Sequence, residues 1–506
     1  MIAPLTPLDF LARSARTWRD VTAVVDGDRR FTYAEFEDRV ARQAGALADL
    51  GIGRGDRVAV LALNGAMALE AHFGPMRIGA VLVMLNTRLA AGELAWILQH
   101  CGARVVLVDP ALKHLVVNAG VEHVIDGYEA MLSGAKRVRG AGVTDENECI
   151  AINYTSGTTG FPKGVMFTHR GAWVNSVGEI TEHGLDQRSV YLWTLPMFHC
   201  NGWCFTWAAT AAGARHICLR QCDPGEVVRL IEAEGVTHLC GAPVVVSSLA
   251  TYCAANGIRF RQRLRIVTAG APPPPAVIRA AEDTGAEIFH AYGLTETYGP
   301  YTVCAWNPAW DEFDPARRAL IKARQGVPYM IAGTDLRVTD EHMNDIPADG
   351  ETMGEVLMRG NSVMLGYYNN PEATEQAFRG GWFHSGDLAV VHPDGYIELR
   401  DRAKDIVISG GENISSIEVE KVLADHPAVA EVAIVAVPDE KWGEVPKAYV
   451  GLKPGATLTA EELIAWSRER LSHYKCPKHV EFGPLPRTAT GKIRKNQLRA
   501  NAKATV

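Results

Sequence analysis

Residues 154–164 read Tyr-Thr-Ser-Gly-Thr-Thr-Gly-Phe-Pro-Lys-Gly and follow the apolar run at 149–153. Three glycines, four Ser or Thr hydroxyls and one lysine suit an anion. Glycines let backbone N–H groups approach closely, hydroxyls add donors, and the lysine adds charge. The same composition also fits a surface turn. It is not the GxxxxGK[ST] phosphate loop, because Pro162 stands where a glycine is needed and Gly164 follows the lysine.

Further candidates lie far apart in the chain. Thr295 and Glu296 sit in YGLTET (292–297), and Asp387 follows Ser385 and Gly386. Arg402 comes next to Asp401, and Lys492 lies in TATGKIRK (488–495). Taken alone each has a plain reading: Asp387 as a turn residue, Arg402 as the surface partner of Asp401, Lys492 as one more cation in a basic tail. His199 lies among Phe198, Trp203, Phe205 and Trp207, where a lone histidine is commonly a satisfied core residue. Other signals fail. GIGRG (51–55) comes after a helix and before a strand, the reverse of a dinucleotide fingerprint, and reads as a helix cap and turn. No GxSxG is present, which argues against a serine hydrolase. Cys200 with Cys204, and Cys218 with Cys222, lack the paired histidines of a zinc site.

These residues need elements to hold them. A helix is expected over 34–50, a buried strand over 57–63, a helix over 66–79, a strand over 81–85, a helix over 90–101 and a strand over 105–109. The alternation continues with strands at 236–239, 264–268 and 286–290, and implies a parallel-rich sheet covered by helices on both faces. Beyond residue 400 the pieces shorten: strands at 405–409, 429–437, 447–452 and 479–482, with helices at 415–426 and 460–471. That reads as a small α+β unit. Four prolines at 272–275 mark a rigid loop.

The 506 residues are 47% hydrophobic and 22% charged, the mixture of a globular protein rather than a disordered chain. The net charge of −7 excludes a polycation for nucleic acid, although residues 468–506 alone carry +8. Ten cysteines without CxxC pairs read as reduced, mostly buried thiols of a cytoplasmic protein. The N-terminus shows no secretory signal, and no apolar stretch is long enough to span a bilayer.

Six motifs in order resemble the adenylate-forming superfamily, in its acyl-CoA synthetase or acyl-activating branch. They are YTSGTTGFPKG (154–164), PMFHCNGW (196–203), YGLTET (292–297), SGD (385–387), RDRAKDIVISGGENIS (400–415) and PRTATGKIRK (486–495). The resemblance implies an α/β fold. A large N-terminal domain (1–401) would carry layered parallel-rich sheets and bind ATP and acyl substrate, with a hinge at 402–404 and a small mobile α+β domain at 405–506. It implies an acid–thiol ligase that uses ATP, Mg²⁺ and coenzyme A. A carboxylic acid becomes an acyl-AMP and then an acyl-CoA thioester.

The resemblance also implies roles. Thr155, Ser156, Gly157, Thr158, Thr159, Gly160 and Lys163 would hold ATP phosphates. Tyr292 would stack on adenine, Asp387 would take the ribose hydroxyls, and Arg402 would lie beside the ribose. Thr295 would touch the α-phosphate and Glu296 would bind Mg²⁺. His199 would orient the carboxylate at the mouth of an acyl pocket drawn from Trp203, Val244, Val245, Gly270, Ala271 and Ala291. Lys492 would act in adenylation, Lys404 as the hinge, and Gly410, Gly411 and Trp442 along the CoA tunnel. Cys476 stands where the family often has an arginine, so Lys475 or Lys478 would have to serve CoA there. No Asp or Glu lies in 198–210 to meet a substrate ammonium, which points to a nonpolar acid (short, medium-chain or aromatic) and away from α-amino acids. Three alternatives stay open: loading of a separate carrier protein, a chain running one half-reaction, and a binding protein that has lost the chemistry. The reading leaves a homodimer open and includes no nucleic acid.

Overall fold

The structure is a computed structural model. It describes residues 3–140, 142–155, 162–331, 335–410, 412–488 and 492–504. Contacts divide the chain into two compact units, Met1–Leu336 with Met358–Phe383, and Arg337–Leu357 with His384–Val506.

The first unit holds two large sheets. One has nine strands, in the order Val327–Pro328, Gly299–Val303, Ala286–Leu294, Leu264–Thr268, His238–Gly241, Val190–Trp193, Arg215–Cys218, Thr22–Asp26, Arg29–Thr32. Its middle is parallel and its edges antiparallel. The other has seven strands, in the order Gly366–Tyr367, Lys163–Thr168, Cys149–Thr155, Val81–Met84, Arg57–Leu61, Ala103–Val108, His123–Ile125. Central strands such as Val81–Met84 are buried at every position, which is why they read as unbroken apolar runs. A core of Leu192, Ile231, Leu239, Leu249 and Ile266 lies against the first sheet, and one of Leu61, Val83, Leu98 and Val106 against the second.

Most expected elements are present within a few residues. The helix Tyr33–Asp49 starts on a capping box in which Thr32 and Glu35 satisfy each other's backbone N–H groups. Two expectations change. Instead of one helix over 66–79 there are two short ones, Ala66–Ala71 and Gly74–Arg77. Pro75 has no N–H to continue the first helix, so it opens the second. The strand expected at 236–239 is His238–Gly241; Val236 instead closes the preceding helix, its N–H donating to Ile231 O at 3.1 Å. The helix cap and turn read from 51–55 is present, with Gly51 at φ 74° and Gly55 at φ 79°. Eight of the ten cysteines are buried and all are free thiols.

The second unit is built on a four-stranded sheet (Asp335–Thr339, Gly354–Arg359, Phe383–Val391, Ile397–Arg402) and a five-stranded one. The latter runs Glu412–Ile414, Val407–Ser409, Gly443–Leu452, Val429–Asp439, with His479–Phe482 added parallel to Gly443–Leu452. Helices Ser416–Ala424 and Ala460–Arg468 each begin on a hydroxyl cap, from Ser415 and Thr459. Among the described residues, no helix is long and apolar enough to cross a membrane.

Candidate active site

In the first unit the candidate phosphate loop is closed at its base. Thr155 ends the strand Cys149–Thr155 and pairs with Lys163, the first residue of Lys163–Thr168; the Thr155 hydroxyl donates to Lys163 O at 3.5 Å. Ser156, Gly157, Thr158, Thr159 and Gly160 lie outside the described residues. Gly164 is required by close approach, since a Cβ there would sit 2.8 Å from Ile152 Cγ2 and 3.1 Å from the Tyr154 ring.

The strand Ala286–Leu294 turns at Thr295–Thr297 and returns as Gly299–Val303. Thr297 fixes that turn: its hydroxyl donates to Gly299 O at 2.9 Å and accepts from Leu294 N at 2.9 Å. Thr295 and Glu296 ride on it, half-buried. The Glu296 carboxylate accepts from the Tyr367 hydroxyl at 2.8 Å, and the Lys163 ammonium lies 4.7 Å from the Tyr367 ring centre. The Thr295 hydroxyl is 3.4 Å from Cys200 Sγ, which is 4.0 Å from His199 Nε2. Lys163, Glu296, Thr295 and His199 are thus joined by a chain of contacts through Tyr367 and Cys200. Tyr292 is buried on the strand leading into the turn.

The segment after His199 has an uncommon backbone. Cys200, Asn201, Gly202, Trp203 and Cys204 all have positive φ, between 45° and 62°. Left-handed backbone costs non-glycine residues about 1 kcal/mol or more each and persists where surroundings enforce it. Here they do. Asn201 N donates to Asn153 Oδ1 at 3.1 Å, Gly202 abuts the Trp193 ring, Trp203 abuts Gly299, and the Cys204 thiol donates to Tyr298 O at 3.6 Å.

Apart from Trp203, the expected acyl-pocket residues lie at or just after the ends of neighbouring parallel strands. Gly241, Thr268 and His290 align as one row across His238–Gly241, Leu264–Thr268 and Ala286–Leu294. Val244 and Val245 follow the first of these strands, Gly270 and Ala271 the second, and Ala291 lies just past the row in the third. The carboxyl ends of parallel strands are where open α/β sheets bind ligands. Trp203 and Ala291 are buried, while Val244 and Ala271 are exposed. The sequence reading missed one carboxylate near this region. Glu179, wholly buried, accepts from the Tyr329 hydroxyl at 3.1 Å beside His183. Burial raises the Glu179 carboxyl well above the usual carboxylate range and pushes the His183 imidazole down to about 3, so it favours the uncharged form of each.

In the second unit Asp387 and Arg402 face each other across paired strands, with Arg402 Nε donating to Asp387 Oδ1 at 3.0 Å. Arg402 therefore pairs with Asp387. Asp401 turns inward and accepts from the Ser416 hydroxyl at 3.0 Å. Glu355 braces the turn before Asp387: it accepts from Gly386 N at 3.0 Å and contacts His384 Nδ1 at 2.8 Å. Only its place in the fold reveals Glu355; no motif marked it. Gly410, at φ 60°, donates its N–H to Trp442 O at 2.8 Å, and a Cβ there would lie 2.8 Å from the Trp442 ring. Gly411 lies outside the described residues. Lys492 N donates to Thr488 Oγ1 at 3.0 Å. Cys476 is buried, and the Lys475 ammonium is held by Glu418 at 2.8 Å.

A lone carboxylate such as Glu296 suits Mg²⁺, which takes one or two protein carboxylates and completes its shell with phosphates and water. Among the described residues no group of three or more His, Cys, Asp or Glu could hold an ion unaided. The donor set therefore fits an ion that arrives with a nucleotide.

Comparison with known proteins gives a consistent match. The model for AMP-binding enzymes matches residues 11–368, and that for the AMP-binding enzyme C-terminal domain matches 418–492. A 4-hydroxybutyrate–CoA ligase of Metallosphaera sedula is 47% identical, covering 99% of this chain and 95% of the relative. A peroxisomal acetate/butyrate–CoA ligase of Arabidopsis thaliana is 44% identical over the same shares. The o-succinylbenzoate CoA synthetase of Bacillus subtilis, solved with its acyl-adenylate intermediate, superposes with a TM-score of 0.87 at 28% identity, covering 97% of each chain. Another structure of that enzyme holds ATP and a magnesium ion.

Proposed function

Since the chain belongs to the family of AMP-binding enzymes and is an AMP-forming acid–thiol ligase, we propose that it converts a short, nonpolar carboxylic acid to its CoA thioester with ATP and Mg²⁺. The contact chain from Lys163 through Tyr367, Glu296, Thr295 and Cys200 to His199 carries this reading. It lines up a phosphate cation, a metal carboxylate and a carboxylate-orienting imidazole. The substrates in the relatives' names, 4-hydroxybutyrate, acetate and butyrate, support a short acid. We infer a cytoplasmic location as well; the Arabidopsis relative is peroxisomal by name.

In the first step a carboxylate oxygen attacks the α-phosphorus of ATP, and the bond to the bridging oxygen of pyrophosphate breaks. Lys163 and the 155–160 loop hold the departing phosphates, Thr295 contacts the α-phosphate, and His199 orients the attacking carboxylate. Glu296 would hold the Mg²⁺ that accompanies ATP, and that ion would offset phosphate charge. Lys492 stabilises charge developing between carboxylate and phosphorus. In the second step the CoA sulfur attacks the acyl carbon, loses its proton and expels AMP. Gly410, whose missing side chain lets the Trp442 ring pack against it, flanks the pantetheine arm together with that ring.

The test is release of AMP on incubation with ATP, Mg²⁺, a panel of acids, and either CoA or a phosphopantetheinylated carrier. Acetate to hexanoate with CoA should give AMP and an acyl-CoA. Turnover with the carrier alone would overturn CoA as the acceptor, and no AMP with any acid would overturn the reading altogether.

A further inference from the structure

The two phosphate-side groups, Lys163 and Glu296, come from different sheets of the first unit, and something must fix their separation. The segment 364–368 does so. Met364 N donates to Glu296 O at 2.7 Å, Leu365 N to Met166 O at 3.0 Å, and Tyr368 N to Gly164 O at 2.7 Å. Gly366 and Tyr367 pair antiparallel with Met166 and Val165. Thr374 anchors the segment from the next helix, its hydroxyl accepting from Tyr367 N at 2.9 Å. A Cβ on Gly366 (φ 147°) would lie 2.9 Å from Thr374 Cγ2, so only glycine fits.

The Tyr367 side chain makes the same link again. Its hydroxyl donates to Glu296 Oε1 at 2.8 Å while its ring faces the Lys163 ammonium. Tyr367 itself is 9% exposed, so ring and hydroxyl are fixed by their surroundings. A glutamate side chain loses considerable rotamer freedom when it is immobilised. The hydrogen bond from Tyr367 to one carboxylate oxygen bears part of that cost in advance.

We propose that Tyr367 is a positioning residue: it pre-orients the Glu296 carboxylate for the divalent cation that accompanies ATP, and segment 364–368 is the strap that sets Glu296 against the phosphate loop. This rests on the reading that Glu296 serves the metal of bound ATP.

The test uses the full chain and Mn²⁺ as a spectroscopic probe, and follows ATP binding as Mn²⁺ is raised. Binding of AMP without metal is the control. Tyr367→Phe keeps the ring over Lys163 and removes only the hydroxyl. It should need about 5-fold more Mn²⁺ for half-saturation, on the scale of one lost hydrogen bond. AMP affinity and melting temperature should stay at the wild-type values. Glu296→Gln should also raise the Mn²⁺ requirement, and adding Tyr367→Phe to it should change nothing further, because the two act through one carboxylate. Unchanged Mn²⁺ dependence in Tyr367→Phe overturns the proposal. So do additive effects in the double variant, or AMP affinity and melting temperature falling together with Mn²⁺ affinity. A wild-type chain that binds no Mn²⁺–ATP overturns the ATP reading itself, a result separate from any outcome in the variants.

Discussion

Lys492 is presented by a short bridge. Arg487 and Ile493 pair antiparallel, Thr488 N donates to Lys492 O at 2.6 Å, and Lys492 N returns the bond to the Thr488 hydroxyl. A lysine has many rotamers, and this bridge fixes its backbone only; its ammonium is the group proposed to serve as a cation in adenylation. Lys492→Ala should lower acyl-AMP formation by at least about 10²-fold, the scale of losing one preorganised charge-stabilising donor. Transfer of a synthetic acyl-AMP to CoA should survive much better. Assaying pyrophosphate exchange and CoA transfer separately decides it, and equal losses in both would remove Lys492 from its adenylation role. At this scale the sequence was informative about residues that carry motifs. Asp387 and Arg402 each had a plain reading alone; their 3.0 Å pairing changes the partner read for Arg402 from its neighbour Asp401 to Asp387 on the facing strand. Glu355, Tyr367 and the Asn153–Asn201 contact were not legible, because each acts through a partner distant in sequence and no spacing records that.

At the scale of elements, alternating helices and strands were readable because central strands are buried on both faces and so are apolar throughout. The left-handed run at 200–204 was not, since an apolar aromatic stretch looks the same whichever hand its backbone takes. Neither was the tightness of the turn carrying Glu296. A Cβ on Gly293 would lie 1.8 Å from Gly299 O and 2.9 Å from Tyr301 N. No side-chain rotation relieves a clash with backbone, so Gly293→Ala must spread the two strands that hold Thr295 and Glu296. Adenylation should fall by about 10²-fold or more, as expected when reacting groups shift by about 1 Å. Gly27→Ala is the control. It carries left-handed strain at φ 62°, which Gly293 does not, and has open space around its Cβ, away from the site. It should lower the melting temperature and leave turnover near wild type. If Gly293→Ala also turns over normally, the hairpin does not position Glu296.

At the scale of the molecule the proposed two-step reaction needs two arrangements of residues 405–506 about Lys404, a pivot that lies inside the second unit. Contacts on either side of that residue define what such a rotation must break. Upstream groups grip downstream ones: Asp401 holds the Ser416 hydroxyl, Ser415 Oγ donates to Arg400 O at 2.5 Å, and the Lys421 ammonium reaches Glu398 at 3.0 Å. Contacts wholly downstream, such as Lys495 with Glu420 at 2.7 Å and Arg499 with Asp405, can travel together. The pivot itself is a turn in which Asp405 N donates to Arg402 O at 2.8 Å, with Ala403 and Lys404 at its centre. Lys404→Pro fixes one torsion there and also strains Ala403, because proline restricts the residue before it. If rotation about Lys404 serves only thioester formation, this variant should keep pyrophosphate exchange within about threefold of wild type and lose at least about tenfold in CoA transfer, the pattern of an arrested conformational step. Lys404→Gly frees the same torsions and should transfer normally. A parallel loss of both half-reactions in the proline variant would mean damage to the turn rather than arrested rotation. Wild-type transfer in that variant would put the pivot elsewhere in the chain.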